Sequence, residues 1–192
     1  MSTVARLKVV LDDVEPKVTR QLLVPLTMRL SRLHSVLQIV VGWTDSHLWE
    51  FRFRDVGYGP PDPDYRDGPL DARFTSLGRA VADSGARSFK YLYDFGDGWS
   101  HSIRIEKTEP VTIGLDYPFL LHASGRCPPE DVGGPPGYEE FLAAIANPQH
   151  PEHQQMREWF GDSFDPQSVN TAAIDERLAK LSPRGRKTPG TR

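Results

Sequence analysis

Two segments of the 192-residue chain concentrate side chains that could do chemistry. The first is Tyr93-Asp94-Phe95-Gly96-Asp97-Gly98-Trp99-Ser100-His101. Asp94, Asp97 and His101 fall around what reads as a hairpin end, where side chains can converge. Carboxylates with one imidazole could hold a divalent ion or act as acid and base. Asp and Gly are also ordinary turn residues, because Asp bonds its own backbone and Gly takes positive φ. A structural role therefore stands beside the chemical one. Asp94-Phe95-Gly96 spells the metal-binding triplet of protein kinases, but no phosphate-covering glycine loop or catalytic His-Arg-Asp precedes it.

The second segment is Cys127-Pro128-Pro129-Glu130-Asp131-Val132-Gly133-Gly134-Pro135-Pro136-Gly137-Tyr138. Two prolines stiffen the backbone before Glu130 and Asp131, and two glycines allow a sharp turn after them. Adjacent carboxylates repel, so a counter-charge is expected: a metal, an arginine or a helix N-terminus. The plainer alternative is that both acids cap their own loop. Cys127 could be a nucleophile, although a lone cysteine is more often a small buried apolar group. His47, in the turn before an aromatic strand, could join His101 in one pocket. No histidine pair has the spacing of metal ligands on a helix, and no nucleophile elbow or phosphate loop is present.

The elements that must position these segments can be read from periodicity. Ala5, Leu7, Val9 and Leu11 alternate as a half-buried strand, and Val18 to Val24 forms a second, pairing with it as a hairpin. Thr27 reads as an N-cap for a helix carrying Leu30, Leu33, Leu37, Val40 and Val41, stopped by Gly42. Trp49, Phe51 and Phe53 alternate, as do Phe89, Tyr91 and Tyr93, and then Trp99, His101, Ile103 and Ile105 after a Gly-Asp-Gly turn. A short helix is expected near Ser76–Asp83, and further helices over 138–146, 151–160 and 171–181. Segments 57–69 and 108–137 read as long loops. The expected class is α+β: an antiparallel sheet with one helix inserted early and a helical C-terminal half.

Composition narrows the function classes. Net charge is −3, and four basic residues lie beyond Leu181, which leaves −7 on residues 1–181. An acidic body repels a phosphate backbone, so nucleic acid is an expected partner only weakly, through the tail. Residues 1–181 are expected to form a single domain and 182–192 a disordered basic tail. The one cysteine excludes an internal disulfide and a thiolate-rich zinc site. No apolar run approaches the roughly 18 residues of a membrane span, and no secretory leader is evident, so a cytoplasmic location is expected.

The chain also resembles the plasmid pRiA4b ORF-3-like family, also known as the mobile-element passenger protein family. The resemblance rests on Val24-Pro25, Gly42-Trp43, His47-Leu48, Tyr58-Gly59, the two segments above and Phe164-Asp165-Pro166, in the family's order. Two features depart from it. The segment before Val-Pro usually carries a tryptophan and arginines, and here reads Val18-Thr19-Arg20-Gln21-Leu22-Leu23. Many members have a second cysteine seven residues before the one at 127, where this chain has Leu120. The resemblance implies an α+β fold, a shared site and a link to plasmids or mobile elements, but no reaction.

Two readings follow. The first is a non-catalytic binding module, with Trp43, His47, Tyr93, Asp94, Asp97, Trp99, His101, Cys127, Glu130, Asp131 and Tyr138 lining an acidic and aromatic pocket for a protein, peptide or small molecule. The second is a metal-dependent hydrolase or nuclease using Asp94, Asp97, His101, Glu130 and Asp131. A divalent metal is the one cofactor these residues suggest. Both readings require the two segments to meet in the fold.

Overall fold

The computed structural model describes residues 3–61, 68–161 and 163–181. The expected basic tail, 182–192, lies outside the described residues. Alternating apolar residues produce β1 (Thr3–Leu11), β2 (Thr19–Pro25), β3 (Trp49–Phe53), β6 (Ser88–Tyr93) and β7 (Trp99–Pro110). Shorter strands are β4 (Val56–Gly59), β5 (Leu70–Asp71) and β8 (Phe119–Ser124). All eight join one sheet in the order β5-β4-β3-β6-β7-β1-β2-β8. Every pairing is antiparallel except β4 with β5.

Helix α1 (Leu30–Val41) buries nine of its twelve residues. Its N-terminus corrects the expected Thr27 cap. The helix starts after Arg29, and the amides of Leu30 and Ser31 donate to the carbonyls of Thr75 and Ala72. A neighbouring segment thus satisfies donors that a side-chain cap would otherwise serve. At the other end Gly42 turns left-handed at φ 93°, as expected. Helix α2 (Leu77–Ser84) is capped by Ser76, whose Oγ accepts from Arg79 N at 3.2 Å. Helices α3 (Gly134–Ala146), α4 (His153–Phe160) and α5 (Thr171–Leu181) follow, and α5 packs on α1 and β8.

The fold is mixed and its sheet mostly antiparallel, but the C-terminal half is only partly helical. Strands β7 and β8 carry the sheet through Ser124, and helices begin at Gly134. Strand β8 escapes sequence reading because only Leu120 in it is buried. A strand exposed along most of its length has no apolar alternation to betray it. No helix among the described residues is long and apolar enough to cross a membrane.

Polar groups in the core are held by specific partners. His34 stacks on Trp49 at 4.0 Å, and its two nitrogens meet the Tyr91 hydroxyl at 2.7 Å and Asp45 Oδ1 at 2.6 Å. Gln38 donates to the same hydroxyl at 2.9 Å. His101 is 1% exposed; its Nδ1 lies 3.3 Å from the Tyr91 carbonyl, and its Nε2 has no hydrogen-bond partner.

Burial pushes the His101 pKa down from 6.5 to about 4. In the unfolded chain the imidazole takes a proton near pH 6.5. Between those values the unfolded state binds more protons, so stability falls as pH drops from about 6.5 towards about 4. The shift amounts to about 3 kcal/mol over the whole window. His34 is pushed down by burial against the pull of Asp45, so it acts in the same direction. Urea unfolding of the wild type is therefore expected to show a falling midpoint between pH 7 and pH 5, with a shallower fall in His101→Gln. Parallel falls in the two proteins would show that His101 does not contribute.

Candidate functional site

The turn between β6 and β7 begins at Asp94, which adopts φ 53°. A short polar side chain makes that conformation accessible by bonding locally. Asp94 Oδ1 accepts from Gly96 N at 3.0 Å and Asp97 N at 3.3 Å, while the Asp94 carbonyl accepts from Gly98 N at 2.6 Å. One carboxylate oxygen is thus spent on the turn. Asp94 Oδ2 instead faces His47, 3.6 Å from its Nδ1.

The proline-rich loop docks on this turn. Gly133 and Gly134 have φ of 92° and 70°, and a Cβ on Gly134 would lie 2.3 Å from the Asp97 carbonyl oxygen. Only glycine permits both the conformation and the approach. Gly133 N donates to Asp97 Oδ2 at 3.1 Å. The Pro128 carbonyl accepts from Trp43 Nε1 at 2.9 Å. Glu130 is gripped at both oxygens: Oε1 accepts from the Tyr93 hydroxyl at 2.6 Å, and Oε2 accepts from Thr44 N at 2.8 Å and Thr44 Oγ1 at 2.6 Å. The Tyr93 hydroxyl in turn accepts from Ser46 N at 3.0 Å. Burial and the adjacent Glu130 push the Tyr93 pKa up, so its proton stays on the hydroxyl that donates to the carboxylate.

The two segments therefore meet, and they meet at the turn 43–47 as well. His47 stands at the junction, with Asp94 on one side and Asp131 Oδ1 3.0 Å from its Nε2 on the other. That Nε2 makes no hydrogen bond despite the short distance, so its approach to Asp131 lacks hydrogen-bond geometry. Donor atoms of His47, Asp94 and Asp131 lie within 4.8 Å of one another, close enough to hold one ion. Of the acids expected as ligands, Asp97 and Glu130 are committed to the Gly133 amide and to Thr44 and Tyr93, and neither belongs to this group.

The expected aromatic lining is corrected. Trp43, Tyr93, Trp99 and Tyr138 are all 3% exposed or less, and Trp43 stacks on Tyr93 at 4.9 Å and leans on Trp99 at 5.6 Å. Strand alternation turns Tyr93 and Trp99 into the core, and Trp43, from the turn after α1, packs on both, so these rings lie beneath the surface rather than lining it. His101 belongs to the same layer, with its ring edge-on to Trp43 at 5.5 Å. Cys127 is also buried, and burial pushes its thiol up to about 11 despite the nearby Arg20. A thiol in that state is a poor nucleophile.

Two apolar residues were missed by sequence reasoning. Leu48, next to His47, is 62% exposed, and Phe95, next to Asp94, is 56% exposed. Leu48 could have been found by parity: the alternation that buries Trp49 puts Leu48 on the outer face with Glu50 and Arg52. Phe95 sits inside a turn, where parity does not apply.

Comparisons with known proteins agree with this architecture. A family model for the plasmid pRiA4b ORF-3-like protein matches residues 3–173. The chain is 56% identical over 192 residues to y4hQ, an uncharacterised protein of Sinorhizobium fredii, covering 97% of this chain and 98% of that one. It is similar to the crystal structure of MM3350, a protein of unknown function from Methanosarcina mazei Go1, with a TM-score of 0.81 and 28% identity, covering 93% of this chain and 98% of that one. With the two motif segments joined around His47 and the match running almost end to end, the chain belongs to the plasmid pRiA4b ORF-3-like family.

Proposed function

We propose that this protein is a non-catalytic binding module whose junction surface takes a basic side chain of a protein or peptide partner. The observation that carries the reading is the patch formed by Asp94 Oδ2, His47 and Asp131, with Leu48 and Phe95, their neighbours in the chain, exposed. Two carboxylates can receive a guanidinium or ammonium, and the apolar pair can cover its aliphatic stem. The −7 charge of residues 1–181 attracts such a partner at long range. Candidate nucleophiles and bases are otherwise engaged: Cys127 and His101 are buried, and Glu130 has both oxygens bonded. A link to plasmids or mobile elements rests on the family's name.

A second reading, the metal-dependent hydrolase, is favoured by one observation, the convergence of His47, Asp94 and Asp131 donor atoms within 4.8 Å. Three mixed oxygen and nitrogen ligands with open positions suit a catalytic divalent ion.

Titrating the isotopically labelled protein with arginine-rich, lysine-rich and glutamate-rich peptides separates the two readings. The basic peptides are expected to move the amides of residues 47–48, 94–97 and 130–133. Asp131→Asn, which keeps a residue tolerant of the φ of 61° found there, is expected to weaken that binding about tenfold. Equilibrium dialysis against zinc or manganese that finds one ion per chain, lost in His47→Ala, together with no response to any peptide, would replace the binding module with the hydrolase.

A further inference from the structure

A cavity of about 390 Å³ borders the motif cysteine, between the C-terminal end of α1 and the start of α5. Arg20, Arg126 and Arg177 all line it, and no acidic side chain does. Ser168 and Asn170 contribute polar groups, and Ile39 and Ile174 contribute apolar wall.

Arg20 is the unusual member. It is 3% exposed, and its hydrogen-bond partners among the described residues are all neutral. Its Nε donates to Val40 O at 2.6 Å, and its Nη1 reaches the carbonyls of Thr19, Ser124 and Gly125 at 2.8, 2.9 and 3.0 Å. Nη2 has one contact, the weak acceptor Cys127 Sγ at 3.4 Å, which leaves it a second N–H to donate. Val40 belongs to the last turn of α1, and the helix C-terminus offsets part of the charge. A buried guanidinium without an anion remains costly, and charges so placed are normally paired.

The other two arginines are also without carboxylate partners among the described residues. The Arg126 guanidinium lies over the rings of Phe160 and Phe164, at 5.4 and 4.7 Å, so aromatic contacts hold it in place. Arg177, on the exposed side of α5, makes no ion pair among the described residues. Three arginines without carboxylate partners among the described residues line one cavity, which favours a doubly charged oxyanion over a singly charged carboxylate, and the planar guanidinium fork matches phosphate geometry. The volume exceeds that of a lone phosphate, and the isoleucine wall can receive an organic body.

We infer that the cavity lined by Arg20, Arg126 and Arg177 is a binding site for a phosphate group carried on a small molecule. The site is separate from the junction around His47 and does not rest on the function proposed for it. Cys127 lines the cavity as a neutral thiol beside the Arg20 guanidinium.

Inorganic phosphate is the probe, titrated calorimetrically into the full-length protein, with acetate and chloride compared at equal ionic strength. Saturable phosphate binding is expected, with acetate at least about tenfold weaker, and Arg177→Ala is expected to lose about tenfold in phosphate affinity. Arg177 is exposed, so this variant is expected to fold, and unchanged circular dichroism would verify that it does. Amide shifts confined to residues 168–174 would locate the anion. Absence of saturable binding, equal affinity for acetate, or an Arg177→Ala variant that binds phosphate like the wild type would each overturn the assignment.

Discussion

The Glu130 carboxylate is the tie on which the arrangement of the two motif segments depends. It receives three hydrogen bonds, one from the Tyr93 hydroxyl at the end of β6 and two from Thr44 after α1. The bond from Tyr93 is the one partly shielded from water, and charge-assisted bonds of that kind contribute roughly 1.5–3 kcal/mol. The three bonds pin the proline-rich loop at one end, while the Gly133 amide on Asp97 pins it at the other. Asp131, between these anchors, is left with its side chain 69% exposed and facing His47.

This tie accounts for how many of the acids and aromatics of the two segments are already engaged. Glu130 and Asp97 hold loops, and Asp94 spends one oxygen on its turn. The rings of Trp43, Tyr93 and Trp99 pack against one another beneath the loops, where aromatic contacts add to apolar burial. Much of the motif is therefore architecture that presents a small polar surface at its edge. Carboxylates gather around His47, whereas arginines and no acidic side chain line the cavity that Arg20 borders.

How far this could be read from the sequence depended on the range of the interactions. The strands with clear alternation, such as Phe89-Tyr91-Tyr93, and the glycine stop of α1 are local features, and local rules identify them. The meeting of the two segments was legible only as a requirement that both functional readings share. The fate of each side chain was not legible. Whether Tyr93 lines a pocket or supports a floor depends on which sheet face the helices cover. The isolation of Arg20 depends on carbonyls at residues 124 and 125, more than a hundred positions away. Strand β8 was hidden for the related reason that an edge strand exposed along most of its length needs no alternation.

The central claim is that Glu130 couples the two segments through Tyr93. A double-mutant cycle of Tyr93→Phe and Glu130→Gln, read by urea unfolding at neutral pH, measures that coupling directly. The account predicts a coupling energy of at least about 1.5 kcal/mol. Strictly additive effects of the two substitutions would contradict it.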